Sequence, residues 1–248
     1  MLYLAIDQHR KQLTVNLRNE EGDVTMKRQV STEWKRVREF LEEVRNQSLP
    51  EGGFVAIVEV CGFNDWFLKM KDTSRYLLYP KTGIHWSSYG AFLAFDSLTR
   101  YLGARLNEPL VRIRCNHIQV TGDARGRDAD IEQGLNLIGD ISRPPMAYPS
   151  VVFEKKAGTV FPSALFIGDS FYYTWSENGY IANTFTGRDF WYYDHEVYSG
   201  SFNTGKKTRF LNLVKEITGK QVIILLQTNA GNGSMGYGFV DRMLALME

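Results

Sequence analysis

The stretch that decides the fold is VFPSALFIGDS, residues 160–170. An apolar-rich run over 160–167 passes directly into Gly168-Asp169-Ser170. A run of that length, closed by a turn signal, reads as a strand buried on both faces, the kind found in parallel sheets. A second such run, QVIILLQ at 221–227, ends in Thr228-Asn229-Ala230-Gly231-Asn232. An aromatic strand is expected over 190–193. Around these strands the period turns helical. Ser87 or Ser88 is placed to cap a helix whose apolar face is Phe92, Phe95, Leu98, Tyr101 and Leu102. Residues 208–217 predict an amphipathic helix with Phe210, Leu211, Val214 and Ile217 facing inward, and 238–247 a closing helix. Strands alternating with helices imply an α/β layer arrangement with a mainly parallel sheet. Its working edge lies beyond the C-terminal ends of the strands.

Upstream the texture differs. Residues 2–6 form a short apolar run, 12–18 alternate with Leu13, Val15 and Leu17 on one face, and 24–30 read as a third strand after the turn Asn19-Glu20-Glu21-Gly22-Asp23. Trp34, Val37, Phe40, Leu41 and Val44 then share a helical face. Residues 54–60 form a near-continuous apolar strand. The expected order is three strands, a helix and a strand.

Composition bounds the partners. Of 248 residues, 44% are hydrophobic, 23% charged and 13% aromatic, so a sizeable core is expected and disorder is excluded. No run of about 18 apolar residues offers a membrane span. A formal charge of +1 provides no global attraction to nucleic acid or anionic lipid. Two cysteines, Cys61 and Cys115, are too few for a disulfide framework. The first ten residues, MLYLAIDQHR, lack a basic segment followed by an apolar core, which reads as no signal peptide and a cytoplasmic chain.

Two sets of residues carry chemistry. Asp7 and Glu59 stand at or near the ends of apolar strands, and paired carboxylates can seat Mg²⁺ for phosphodiester attack. A strand ending in Gly168-Asp169-Ser170 can instead present a serine nucleophile, provided a histidine lies within hydrogen-bond reach. Of four histidines, His85 sits in an irregular loop before a helix, whereas His195 has Asp194 and Glu196 as strand neighbours that point to the opposite face. Tyr172, Tyr173, Trp175, Trp191 and Tyr192 are read chiefly as core, with a sugar-stacking platform as the alternative.

The pair GDSF (168–171) and HWSSYGA (85–91), with RDADIEQGLNL (127–137) and GYGFVDRMLAL (236–246), resembles the SGNH-hydrolase-like family of alginate O-acetyltransferases. The resemblance covers about 71–248. It implies a three-layer SGNH-hydrolase-like domain with Ser170 as nucleophile, His85 as base, the Ser170 N–H with Asn229 or Asn232 as oxyanion donors, and an acetylated carbohydrate as substrate. The family usually has an Asp two residues before the His-Trp pair. Here that position is Gly83, and Asp169, Asp194 or a backbone carbonyl is left to orient the imidazole, Asp169 being the residue assigned here. Separately, YLAIDQHRKQLTVNLRNEEGDV (3–24) and VEVCGFNDWF (58–67) resemble the start of insertion-sequence transposases of the DEDD type. That resemblance implies a partial RNase H-like βββαβ unit with Asp7 and Glu59 as two of its four metal-binding acids.

The chain is therefore expected to divide into a partial RNase H-like segment, 1–69, and an SGNH-hydrolase-like domain, 70–248, an apparent fusion of two truncated parts. The expected function is a serine-type carbohydrate esterase or O-acetyltransferase-like protein that needs no cofactor. The alternatives are a transposase-derived nucleic-acid-binding protein using Asp7 and Glu59 with Mg²⁺, or a non-catalytic fusion relic.

Overall fold

The computed structural model describes residues 2–8, 12–19, 23–31, 33–48, 54–59, 63–135, 138–139, 141–200, 202–228 and 234–245. Nine strands join in one sheet of order β10-β9-β8-β7-β11-β4-β1-β2-β3. The strands are β1 (Leu2–Gln8), β2 (Gln12–Arg18), β3 (Val24–Ser31), β4 (Phe54–Glu59), β7 (Ser163–Gly168), β8 (Thr186–Tyr192), β9 (Glu196–Ser199), β10 (Phe202–Lys207) and β11 (Val222–Leu226). The centre is parallel: β8 on β7, β7 on β11, β11 on β4 and β4 on β1. Antiparallel pairs finish both ends, β8-β9-β10 on one side and β1-β2-β3 on the other. A separate antiparallel ribbon pairs β5 (Arg112–Thr121) with β6 (Met146–Glu154). The fold is mixed α/β.

Alternation along the two central strands makes the layers. In β7, Ala164 and Phe166 point into one core while Leu165 and Ile167 point into another; in β11, Val222, Ile224 and Leu226 oppose Ile223 and Leu225 in the same way. All five residues of β11 are buried, as a strand covered on both faces requires. The first core is closed by α3 (Ser88–Leu106), α5 (Phe171–Glu177) and α6 (Tyr180–Thr184), the second by α7 (Leu213–Thr218) and α8 (Phe239–Ala245). Phe95, Leu98 and Leu102 form the buried face of α3, and Ser87 caps it by accepting the Gly90 N–H at 2.9 Å.

Elements at 1–60 follow the expected order, with α1 (Trp34–Ser48) between β3 and β4 and α2 (Phe63–Met70) after β4. One expectation fails in phase. Residues 208–217 form a short 3-10 turn at Thr208–Phe210 and then α7, so Phe210 and Val214 are exposed while Leu213 and Ile217 are buried. Asn212 is the reason: its side chain accepts the Lys215 N–H at 3.0 Å and starts a new helix, which resets the period. Of the buried aromatics, Tyr172, Trp175 and Trp191 are core residues. Tyr172 stacks on Phe190 at 3.8 Å between ring centres. No helix among the described residues is long and apolar enough to cross a membrane.

Candidate active site

The turn after β7 is built by close approach. A Cβ on Gly168 would collide with the Leu226 carbonyl of β11, so only glycine lets the two strand ends come together here. The Asp169 N–H donates to that same Leu226 carbonyl at 3.2 Å. The chain then turns into α5, leaving Ser170 at the helix start in ordinary right-handed backbone (φ −66°, ψ −9°). Ser170 is partly exposed, as a nucleophile must be.

Opposite it stands His85, 3% exposed. Its Nε2 lies 2.8 Å from Ser170 Oγ and its Nδ1 2.5 Å from Asp130 Oδ2. A carboxylate only accepts, so Nδ1 carries the hydrogen and Nε2 keeps a lone pair directed at the serine hydroxyl. Serine, imidazole and carboxylate thus stand in one hydrogen-bonded line, the arrangement that lets a hydroxyl lose its proton as it attacks.

The aromatic residues that follow His85 and Ser170 fix their separation. Trp86 stacks on Trp175 at 4.9 Å and meets Phe171 edge-on at 5.3 Å, and Phe171 sits 5.0 Å from the His85 ring. The Trp175 Nε1–H donates to Ala91 in α3 at 3.0 Å, tying α5 to the helix that follows the histidine. The loop and the serine turn are therefore locked face to face by packing.

Asp130 begins α4 (Asp130–Leu135), and several contacts seat it. Its Oδ1 accepts the Ile84 N–H at 3.0 Å. Thr82 donates its hydroxyl to the Asp128 carbonyl at 3.1 Å, while its own carbonyl accepts the Ile131 N–H at 3.1 Å. Gly83 is part of this fit. A Cβ there would lie 2.6 Å from the Arg127 carbonyl, 2.8 Å from Pro80 Cγ and 3.1 Å from Asp130 Oδ1. The space that a side chain at 83 would take is occupied by the 127–130 segment, and the acid arrives from there.

Sequence reasoning assigned the orienting role to Asp169, and the geometry places that residue elsewhere. The Asp169 carboxylate accepts the Phe171 N–H at 3.1 Å, the Thr228 N–H at 3.0 Å and the Tyr237 hydroxyl at 2.7 Å. It ties the serine turn to the segment after β11, while His85 Nδ1 is met by Asp130. Asp194 is likewise engaged, held by Arg242 at 2.7 Å and 2.8 Å. His195 is exposed in the turn between β8 and β9, and the His85 ring rather than the His195 ring meets Ser170 Oγ. Asp130 lies within the motif RDADIEQGLNL, but nothing in that stretch of sequence marks it as the partner of a histidine 45 residues earlier.

Asp128, two residues before Asp130, is 2% exposed and its Oδ2 has no partner among the described residues. Burial pushes its carboxyl up to about 6, with the Asp130 charge adding to the rise and Tyr148 and the Ser88 N–H opposing it. No acceptor meets the Ser170 N–H among the described residues, as is usual for the first N–H groups of a helix. Asn229 and Asn232, the other expected oxyanion donors, lie outside the described residues, as do the side chains of Asp7 and Glu59. Among the described residues no group of three or more His, Cys, Asp or Glu could hold a metal ion.

No protein-family model matches the sequence, and a search of the curated proteins returns no match. Among the solved structures similar in outline are the following three. Pseudomonas aeruginosa AlgX aligns at a TM-score of 0.40 and 8% identity, over 84% of this chain and 50% of that one. The O-acetyltransferase domain of Pseudomonas putida AlgJ aligns at 0.35 and 10%, over 98% of each chain. Bacillus cereus PatB1 aligns at 0.37 and 10%, over 95% of this chain and 99% of that one. The chain spans half the length of AlgX.

Proposed function

We propose that the protein is a serine-type acyl esterase or O-acyltransferase of carbohydrate, with Ser170 as nucleophile, His85 as general base and Asp130 as the acid that orients it. The observation that carries the reading is His85 bridging Asp130 at 2.5 Å and Ser170 at 2.8 Å. In the first half-reaction Ser170 Oγ attacks the ester carbonyl carbon as its proton passes to His85 Nε2. The Ser170 N–H donates to the developing oxyanion. Collapse expels the alcohol, which takes the proton back from His85, and leaves an acyl-serine. In the second half, water or an acceptor hydroxyl gives its proton to the same nitrogen as it attacks the acyl carbon, and collapse expels Ser170 Oγ, which takes that proton back from His85. Water makes the protein an esterase and a sugar hydroxyl makes it a transferase.

Gly83 does not weaken this proposal, because the acid reaches Nδ1 from position 130. The test is turnover of 4-nitrophenyl acetate with mass spectrometry of the trapped intermediate. Wild-type protein should release nitrophenol and carry an acetyl group on Ser170, and Ser170→Ala should do neither. Equal turnover by the Ser170→Ala protein would end the reading. No observation favours nucleic-acid cleavage by Asp7 and Glu59.

A further inference from the structure

Beside the serine turn stands a pair of tyrosines in backbone that ring-bearing residues rarely adopt. Tyr193 has φ 52° and Tyr237 φ 59°, both left-handed, and Asp194 follows Tyr193 with φ 47°. Each is held there by several contacts. The Tyr193 N–H donates to the Gly168 carbonyl at 2.8 Å, two residues before Ser170. The Tyr237 hydroxyl donates to Asp169 Oδ2 at 2.7 Å. Asp194 is clamped by Arg242, whose Nη2 also donates to the Thr208 carbonyl at 3.1 Å. The two rings then meet edge to face, 4.9 Å apart at 89°. Tyr192 packs against Tyr193 at 4.3 Å.

This bracing does not bury the ring. Tyr193 remains 44% exposed, whereas Tyr172, Trp175 and Phe190 behind it are fully enclosed. An unfavourable backbone kept at two aromatic positions, both bonded to the Gly-Asp-Ser turn, points to use at the site, since such strain persists where the surroundings enforce it for function. An aromatic face fixed in orientation and open to solvent stacks on flat apolar surfaces. The C–H face of a pyranose is one, and hydroxyls around it suit the sugar's edges. Such groups are at hand: the Tyr192 hydroxyl, and the Tyr198 hydroxyl bonded to Glu196 at 3.3 Å and to Asn203 at 3.3 Å. Burial holds the Tyr192 hydroxyl protonated, up to about 12, so it serves as a donor throughout the neutral range.

We infer that Tyr193, braced by Tyr237, is the platform on which a pyranose ring stacks to present its acyl group to Ser170, which makes ring-form sugar esters the preferred substrates. The inference rests on the esterase reading above. Its test compares two acetates, glucose pentaacetate with a ring face and acyclic mannitol hexaacetate without one, counting only release from positions other than the activated anomeric ester. Wild-type protein should favour the ring ester in kcat/KM. Tyr193→Asn, a residue at ease in left-handed backbone, should keep the thermal midpoint and lower that preference about tenfold (~1.4 kcal/mol), mainly through KM. Tyr193→Phe, which keeps the ring face, should retain it. An unchanged preference in Tyr193→Asn, or its complete loss in Tyr193→Phe, overturns the platform. Binding of glucose pentaacetate to the Ser170→Ala protein separates the two claims. If wild-type protein turns over no ester, the esterase reading falls. Independently, if the Ser170→Ala protein does not bind the ring ester, or binds it equally well with Tyr193→Asn added, the platform falls.

Discussion

Asp130→Asn is the substitution that most directly interrogates the site. The carboxylate serves two donors at once, the His85 Nδ1–H at 2.5 Å and the Ile84 N–H at 3.0 Å. An amide has one acceptor oxygen. If that oxygen stays with Ile84, the amide N–H₂ faces Nδ1, and the imidazole must move its hydrogen to Nε2, where it can no longer take a proton from Ser170. If the oxygen turns to His85 instead, the amide and the Ile84 N–H confront each other as two donors. In a serine triad the wrong tautomer lowers kcat about 10⁴-fold, which is roughly 5.5 kcal/mol at ~1.36 kcal/mol per decade. The expected result with 4-nitrophenyl acetate is a fall in kcat of about three to four decades, with KM within a few-fold and the thermal midpoint little changed. Asp169→Asn in parallel should fall far less, since Asp169 makes no bond to the imidazole. A correctly folded Asp130→Asn protein with kcat within tenfold of wild type would refute the orienting role.

Two further outcomes follow from the surroundings of Asp130. Gly83→Ala puts a methyl 2.6 Å from the Arg127 carbonyl, so the 127–130 segment must shift; overpacking of this sort costs about 1–3 kcal/mol, and a displacement near 1 Å costs about a hundredfold in rate, both read from a melting curve and kcat. Asp128→Asn should raise stability at pH 8 and flatten its pH dependence. The folded carboxyl titrates near 6 rather than 3.8, so its contribution is fully present below 3.8 and is lost as pH rises through 6. That sets a ceiling of roughly 3 kcal/mol, cut by solvent screening to about 1–2 kcal/mol, measurable by urea unfolding at pH 4.5 and 8; parallel pH curves for the two proteins would contradict it.

The central strands were legible because burial on both faces leaves an unbroken apolar signature. The runs at 160–167 and 221–227 became β7 and β11 within a few residues. The strand β5 went unread because its apolar alternation, Ile113 and Cys115 and then Ile118 and Val120, changes phase at the irregularity between Cys115 and His117. At the site, Ser170 and His85 were readable from local motifs, each with its own turn or helix start. Asp130 was not, because its role depends on an approach across 45 residues of chain to a place that only Gly83 leaves open. Local patterns announce the residue that a turn presents; they do not announce the one that tertiary packing brings to it.

The same distinction bears on the division of the chain. Texture and motifs set a boundary near residue 70, yet the sheet does not stop there. β11 is apolar along its whole length and pairs with β7 on one side; on the other it pairs with β4, Ile223 opposite Ile57 and Leu225 opposite Glu59. Without β4 the strand VIILL would present a bare, flat, hydrophobic edge, the kind of surface that recruits other chains. α2 closes the same joint from above, Phe63 meeting Trp86 edge to face at 6.0 Å, one residue from His85. A segment whose motifs resemble another lineage thus supplies both the edge partner of the central strand and part of the aromatic packing beside His85. Whatever boundary the motifs draw, β4, β1, β2 and β3 continue the sheet whose β7 leads into Ser170.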